Sequence, residues 1–108
     1  MTSRATDLSE IAIPGAFRLH FGLPPMPSKV LTTLYRARGT ALRSGELAEA
    51  MGSTSGAVQV ALTEVRHAMD PEAIKFIPNV GYSLTPAGLT AARTAIRAIG
   101  EELLAEAV

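Results

Sequence analysis

Apolar residues recur along this chain at two periods, and the change from one to the other marks its elements. Val58, Leu62, Val65 and Met69 stand at spacings of four, three and four, the pattern of an amphipathic helix with one buried stripe. Ser53 or Thr54 is placed to cap its start. Asp70-Pro71 closes it, because proline cannot continue a helix and biases the residue before it away from helical angles. Upstream, Val30, Leu31, Leu34 and Ala37 share a face in a helix that Ser28 can cap and that runs to about Arg38, with Gly39 suited to stop it. Between the two a short helix is predicted, with Ser44 as cap, Leu47, Ala48 and Met51 facing inward and Gly52 at its end. After Pro71 come two short β-prone runs, "IKFIP" and "GYSLT", arranged around Asn79, with Gly81 supplying backbone freedom. Thr85-Pro86 then reads as cap and first turn of a last helix, whose Leu89, Ala92, Ile96, Ile99 and Leu103 alternate spacings of three and four.

Nearer the start, Ile11 and Ile13 lie before Pro14-Gly15, and Phe17, Leu19 and Phe21 follow at period two. This reads as a short N-terminal hairpin, after which "LPPMP" breaks regular structure. Three helices followed by a β-hairpin is the winged helix–turn–helix plan, a mainly α (α+β) fold. The expected organisation is a loose arm over residues 1–10, a domain over 11–84 and a C-terminal helix over 85–108.

The 108 residues suit one domain with one modest core. That core must be built from Ala, Leu, Val and Ile, since there are three Phe, two Tyr and no Trp. Ten basic and ten acidic residues balance, so attraction to a polyanion requires local clustering. Residues 28–52 supply it: Lys29, Arg36, Arg38 and Arg43 against Glu46 and Glu49 give 4 − 2 = +2, whereas residues 83–108 give 2 − 3 = −1. The absence of cysteine removes disulfides, thiol nucleophiles and thiolate metal sites. No apolar run is long enough to cross a bilayer and "MTSRATDLSE" has no signal-peptide core; the expectation is a cytoplasmic protein without a membrane partner.

With these elements placed, residues 27–84 resemble the winged-helix effector domain of OmpR/PhoB-type transcriptional regulators. "PSKVLTTLYRARGTALRSGELAEAMG" is similar to that family's first two helices. "VQVALTEVRHAM" resembles its recognition helix, and "IKFIPNVGYSLT", with Gly81-Tyr82, its wing. "YSLTPAGL" before a long helix resembles instead the winged-helix repressors that dimerise through a C-terminal helix. The resemblance implies a bacterial or phage DNA-binding regulator and carries no implication of phosphorylation control. Two departures stand out: Glu64 on the recognition helix, and Pro78-Asn79 at a wing tip where the family often has arginine.

If the stripe is buried, Ser55, Gln59, Thr63 and Arg66 project from the opposite side. Gln59 can pair with adenine, and Arg66 with guanine or a phosphate. Thr54 and Ser55 at the helix N-terminus suit a phosphate, as do Arg43 and Ser44 at the start of the preceding helix. Lys75 and Asn79 are the wing's candidates for the DNA backbone. Arg36 and Arg38 read as a solvated helix face, and Tyr82 as a ring packed on the core with its hydroxyl at the edge. Glu64 either pairs with Arg66 or Arg43 or faces water. It is repelled by phosphate, though a carboxylate aimed at a base can accept from cytosine N4.

The seam Leu89, Ala92, Ile96, Ile99 and Leu103 either packs on its own domain or forms a homodimer across a two-fold axis. His20 and His67 have no ligand pattern around them, Asp70 and Glu72 are ordinary turn residues, and "GSTSG" lacks the lysine of a phosphate loop. No enzyme and no cofactor is therefore expected. The expected partner is double-stranded DNA, with RNA polymerase or another regulator as a further contact. The competing reading is a protein–protein adaptor on a transcription or phage component, favoured by Glu64, the missing wing arginine and zero net charge.

Overall fold

The computed structural model describes the backbone of residues 13–107 and the side chains of residues 13–100. Among them the elements run α1 (13–21), α2 (Pro25–Arg36), α3 (Ser44–Met51), α4 (Ser55–Ala68), β1 (Ile74–Ile77), β2 (Gly81–Leu84) and α5 (Pro86–Ala107).

At the N-terminus the structure corrects the expected hairpin. Residues 13–21 are helical; Ile11 and the arm 1–10 lie outside the described residues. Phe17, Leu19 and Phe21 satisfy period two, but Ile13, Phe17 and Phe21 also stand four apart, which is one ridge of a helix. Leu19 discriminates between the two: it is 72% exposed, while Phe17 is fully buried. Phe17 meets the edge of Tyr35 at 6.0 Å between centroids, and Phe21 lies 6.1 Å away on the same ridge.

A second correction concerns "LPPMP". These prolines open α2, with Pro24 as N-cap and Pro25 at its first position. First-turn N–H groups have no intrahelical acceptor, so proline loses nothing there and its fixed φ suits the helix. Ser28 is consequently inside α2 and not its cap. It is buried, and its hydroxyl donates to the Pro25 carbonyl at 2.7 Å. Thr32 repeats the device one turn on, donating to the Ser28 carbonyl at 2.7 Å.

Helices α2, α3 and α4 enclose the core. Val30, Leu31 and Leu34 come from α2, Leu47 from α3, and Val58, Leu62 and Val65 from α4, all essentially without exposure. Between α3 and α4, Gly52 takes the left-handed conformation at φ 63°, and the N–H of Ser53 donates to the Ala48 carbonyl at 2.9 Å. This is a Schellman-type stop that satisfies end-of-helix carbonyls. It leaves a three-residue turn (Gly52 to Thr54) before α4, the spacing of a helix–turn–helix.

The strands pair antiparallel with Ile74 opposite Leu84 and Phe76 opposite Tyr82. Ile74 and Leu84 are buried in the core, which anchors the base of the hairpin. Its far end is tied by backbone to the segment before α3. The Leu42 N–H donates to the Tyr82 carbonyl at 2.8 Å and the Tyr82 N–H donates to the Leu42 carbonyl at 2.7 Å. Gly81 makes this approach possible, since a Cβ there would collide with the Leu42 carbonyl, and its φ is 133°. Thr85 then starts α5. Its hydroxyl accepts from the Gly88 N–H at 3.1 Å and donates to the Glu72 carbonyl at 2.7 Å.

Replacing Gly81 with Ala adds a backbone collision to an unfavourable φ. We expect a loss of at least about 2 kcal/mol in denaturant unfolding. Gly39→Ala, at φ 89° but in open space, should lose only about 1 kcal/mol. Equal losses would show that the Leu42 approach does not constrain residue 81.

Candidate nucleic-acid interface

The candidate site is assembled where α4, the start of α3 and the hairpin tip converge. Helix α4 begins with Thr54, whose hydroxyl accepts from the Ala57 N–H at 3.2 Å and so caps the helix. With Val58, Ala61, Leu62 and Val65 turned inward, Ser55, Gln59 and Thr63 are exposed. The Thr63 hydroxyl donates to the Gln59 carbonyl at 3.1 Å, leaving its methyl group as the outward feature.

An open groove of about 350 Å³ separates this helix from the hairpin, and Arg43, Ser44, Gln59, Asn79 and Tyr82 line it. Two contacts of Arg43 fix its position: its backbone N–H donates to the Glu46 carboxylate at 3.0 Å, and its guanidinium Nη2 donates to the Asn79 carbonyl at 3.2 Å. Asn79 sits at φ 65°, a conformation asparagine tolerates better than most residues. The turn closes with the Val80 N–H donating to the Ile77 carbonyl at 3.0 Å. Arg66 leaves α4 toward the hairpin, its guanidinium carbon 5.8 Å from the centroid of the Tyr82 ring. That ring packs on Phe76 at 4.9 Å. An arginine over an aromatic face is held by the ring quadrupole, and its N–H groups remain free to donate around the rim.

No protein-family profile and no curated protein matches the sequence. Its coordinates superpose on the crystal structure of a MarR family protein of Mycobacterium tuberculosis with a TM-score of 0.55, at 23% sequence identity, over 97% of this chain and 77% of that one. The fold is a winged helix.

Within the winged helix, most of the sequence-chosen residues come together and one does not. Arg43, Ser44, Gln59 and Asn79 share the groove. Thr54 and Ser55 lie at the α4 N-terminus, and Thr63 lies one turn beyond Gln59. Arg66 joins through Tyr82, whose half-buried ring packs against the core beneath it. Lys75 is exposed and pairs with Ser83. Alternation along the strand therefore puts it on the opposite face of the wing from Phe76 and Tyr82. Glu64 follows Gln59 by five positions, about 140° around the helix. Its half-exposed carboxylate is thus directed away from the groove.

Pattern reading missed three features. Leu42 pairs with the wing although one residue carries no strand signal. Phe76 and Val80 are 54% and 49% exposed at the wing end. Val60 is 60% exposed on α4; an apolar residue lying off the 58–62–65 stripe is the signal that identifies it.

Helix α5 takes its first half into the chain's own core. Ala92 and Ala95 are fully buried, and Leu89 and Ile96 pack against the core while half-exposed. Ala92 therefore has no surface to offer a second copy. Ile99 is half-exposed, and the side chain of Leu103 lies outside the described residues. Among the described residues, no group of three or more His, Asp or Glu could hold a metal ion, and no helix is long and apolar enough to cross a membrane.

The Thr54 cap sets the start of the exposed face. Thr54→Ala should remove about 1 kcal/mol of stability, lowering Tm by about 4–8 °C. An unchanged Tm would mean that the hydroxyl does not cap α4.

Proposed function

We propose that this chain is a sequence-specific DNA-binding transcriptional regulator that works in the cytoplasm. Helix α4 enters the major groove and the wing lies along the flanking backbone. The observation that carries this reading is the side-by-side exposure of Gln59 and Thr63 on α4 beside a groove lined by Arg43, Ser44 and Asn79. In a helix–turn–helix the second helix is the one that reads bases, and here that is α4. Gln59 pairs with the N6 and N7 edge of adenine, and Arg66 donates to guanine or to a phosphate beside it. Thr54, Ser55 and the first N–H groups of α4 hold one phosphate, and Arg43 with Ser44 holds another. Asn79 and Lys75 approach the backbone from the two sides of the wing.

Few cations contribute, so affinity per copy is modest. A second copy joined through the distal seam of α5, from Ile99 toward Leu103, would raise it through effective concentration on a two-fold site. One observation favours a protein partner instead: Phe76 and Val80 expose apolar surface at the wing end of a chain with no net charge. Salt separates the readings, since phosphate contacts release counterions and an apolar contact does not.

Genomic fragments captured by the purified protein provide the duplex for testing. Gln59→Ala should weaken binding by about 1–3 kcal/mol and relax preference at one base pair. Arg43→Ala should weaken all duplexes alike and lower the slope of log affinity against log salt by about 1. Affinity unchanged in both Gln59→Ala and Arg66→Ala, or binding indifferent to salt, would contradict the proposal.

A further inference from the structure

The outermost row of α4 has a chemistry that the contacts above leave unused. Val60 lies two positions after the buried Val58, about 200° around the helix, and Thr63 is within about 60° of Val60. Gly56, one turn earlier on the same row, is exposed, and open space surrounds the position its Cβ would take. Val60 keeps 60% of its surface exposed. The Thr63 hydroxyl is already engaged with the Gln59 carbonyl, so a methyl group is what that side chain has left to present. Between the Thr54 cap and Thr63, α4 contains no charged residue; Glu64, one turn after Val60 and about 40° from it, and His67, one turn after Thr63, bound the row at its C-terminal end. The cations Arg43 and Arg66 stand toward the wing.

A row that is low at Gly56 and methyl-bearing at Val60 and Thr63 is poorly suited to a phosphate. It suits the one apolar group displayed in the major groove, the 5-methyl of thymine. We infer that Val60, together with the Thr63 methyl, determines sequence preference by packing on thymine methyl groups. This rests on α4 being the reading helix and adds the base class it selects. Gln59, at the wing-side border of the row, then reads the same tract from its adenine-bearing edge. The predicted half-site is consequently rich in A·T pairs under the N-terminal half of α4.

The test uses the full chain and duplexes enriched from a random library. Each thymine of the enriched site is replaced in turn by deoxyuridine, which removes only the methyl group. The native chain should lose about fourfold in affinity at each contacted thymine, the factor expected for one apolar carbon returned to water. Val60→Ala, which withdraws the two γ-methyl groups, should narrow the difference between the thymine and uracil forms at its position. Thr63→Ser, which keeps the hydroxyl bond and loses the methyl, should do the same at a neighbouring position. Both sites are exposed, so unchanged thermal unfolding will show that the variants fold. Enriched duplexes bound equally well with thymine or uracil would overturn this inference and leave DNA binding standing. Thymine dependence that persists undiminished in Val60→Ala would remove Val60 from the role. A library with no enriched duplex would overturn both this inference and the function it rests on.

Discussion

The backbone pairing of Leu42 with Tyr82 is the constraint on which the rest of the structure depends. Two hydrogen bonds under 3 Å join the segment before α3 to the second strand of the wing. Because Arg43 and Ser44 follow Leu42 directly, that pairing delivers the start of α3 to the wing turn. Because Tyr82 is the partner, the same pairing sets the ring over which Arg66 lies. A hairpin of four-residue strands held by its own ladder would be marginal in water. Here its base is sunk into the core through Ile74 and Leu84, and its outer end is tied to the helix–turn–helix. Gly81 is where those demands meet, and no side chain is compatible with both the approach and the φ.

Charge is arranged rather than abundant. The chain is neutral as a whole, yet Arg43 and Arg66 are both drawn to the wing side of α4, one by the Asn79 carbonyl and one by the Tyr82 ring. Neither contact consumes the guanidinium, which carries five donors. Preorganising two cations in this way reduces the side-chain ordering that binding would otherwise require. Glu64, the residue least suited to a polyanion, lies about 140° around α4 from Gln59 but about 40° from Val60, so it faces away from the groove and borders the outward row.

Much of this was legible in the sequence, and the failures have definite causes. The α4 stripe at 58, 62 and 65 and the Thr85-Pro86 start of α5 are strong local signals that agree with the tertiary structure. The N-terminal segment is ambiguous because Phe17 and Phe21 satisfy both a period of two and a spacing of four. Only burial, which exposes Leu19 and hides Phe17, separates the alternatives. The prolines of "LPPMP" have the look of breakers, yet they occupy the cap and first turn of α2, the one part of a helix that accepts them. Ser28 and Ser44 carry a capping residue's identity without a cap's position, which belongs to Pro24 in α2 and to Arg43 in α3. In the site, residue type identified Arg43, Gln59 and Asn79. It could not show that Lys75 is on the other face of the wing, which depends on register, or that the wing end exposes Phe76 and Val80. The seam of α5 was recognised as apolar, but a seam does not state its partner; Ala92 and Ala95 turn into the same chain.

The proposed function requires that the outward side of α4 and the wing turn act together as one surface for a duplex. Backbone amide NMR shifts recorded while a captured DNA fragment is titrated into the protein address this directly. The largest changes should fall on residues 54–66 and 76–82, together with Arg43 and Ser44, and should shrink as salt is raised. Changes confined to α1 and α2, or a spectrum indifferent to DNA at low salt, would contradict it.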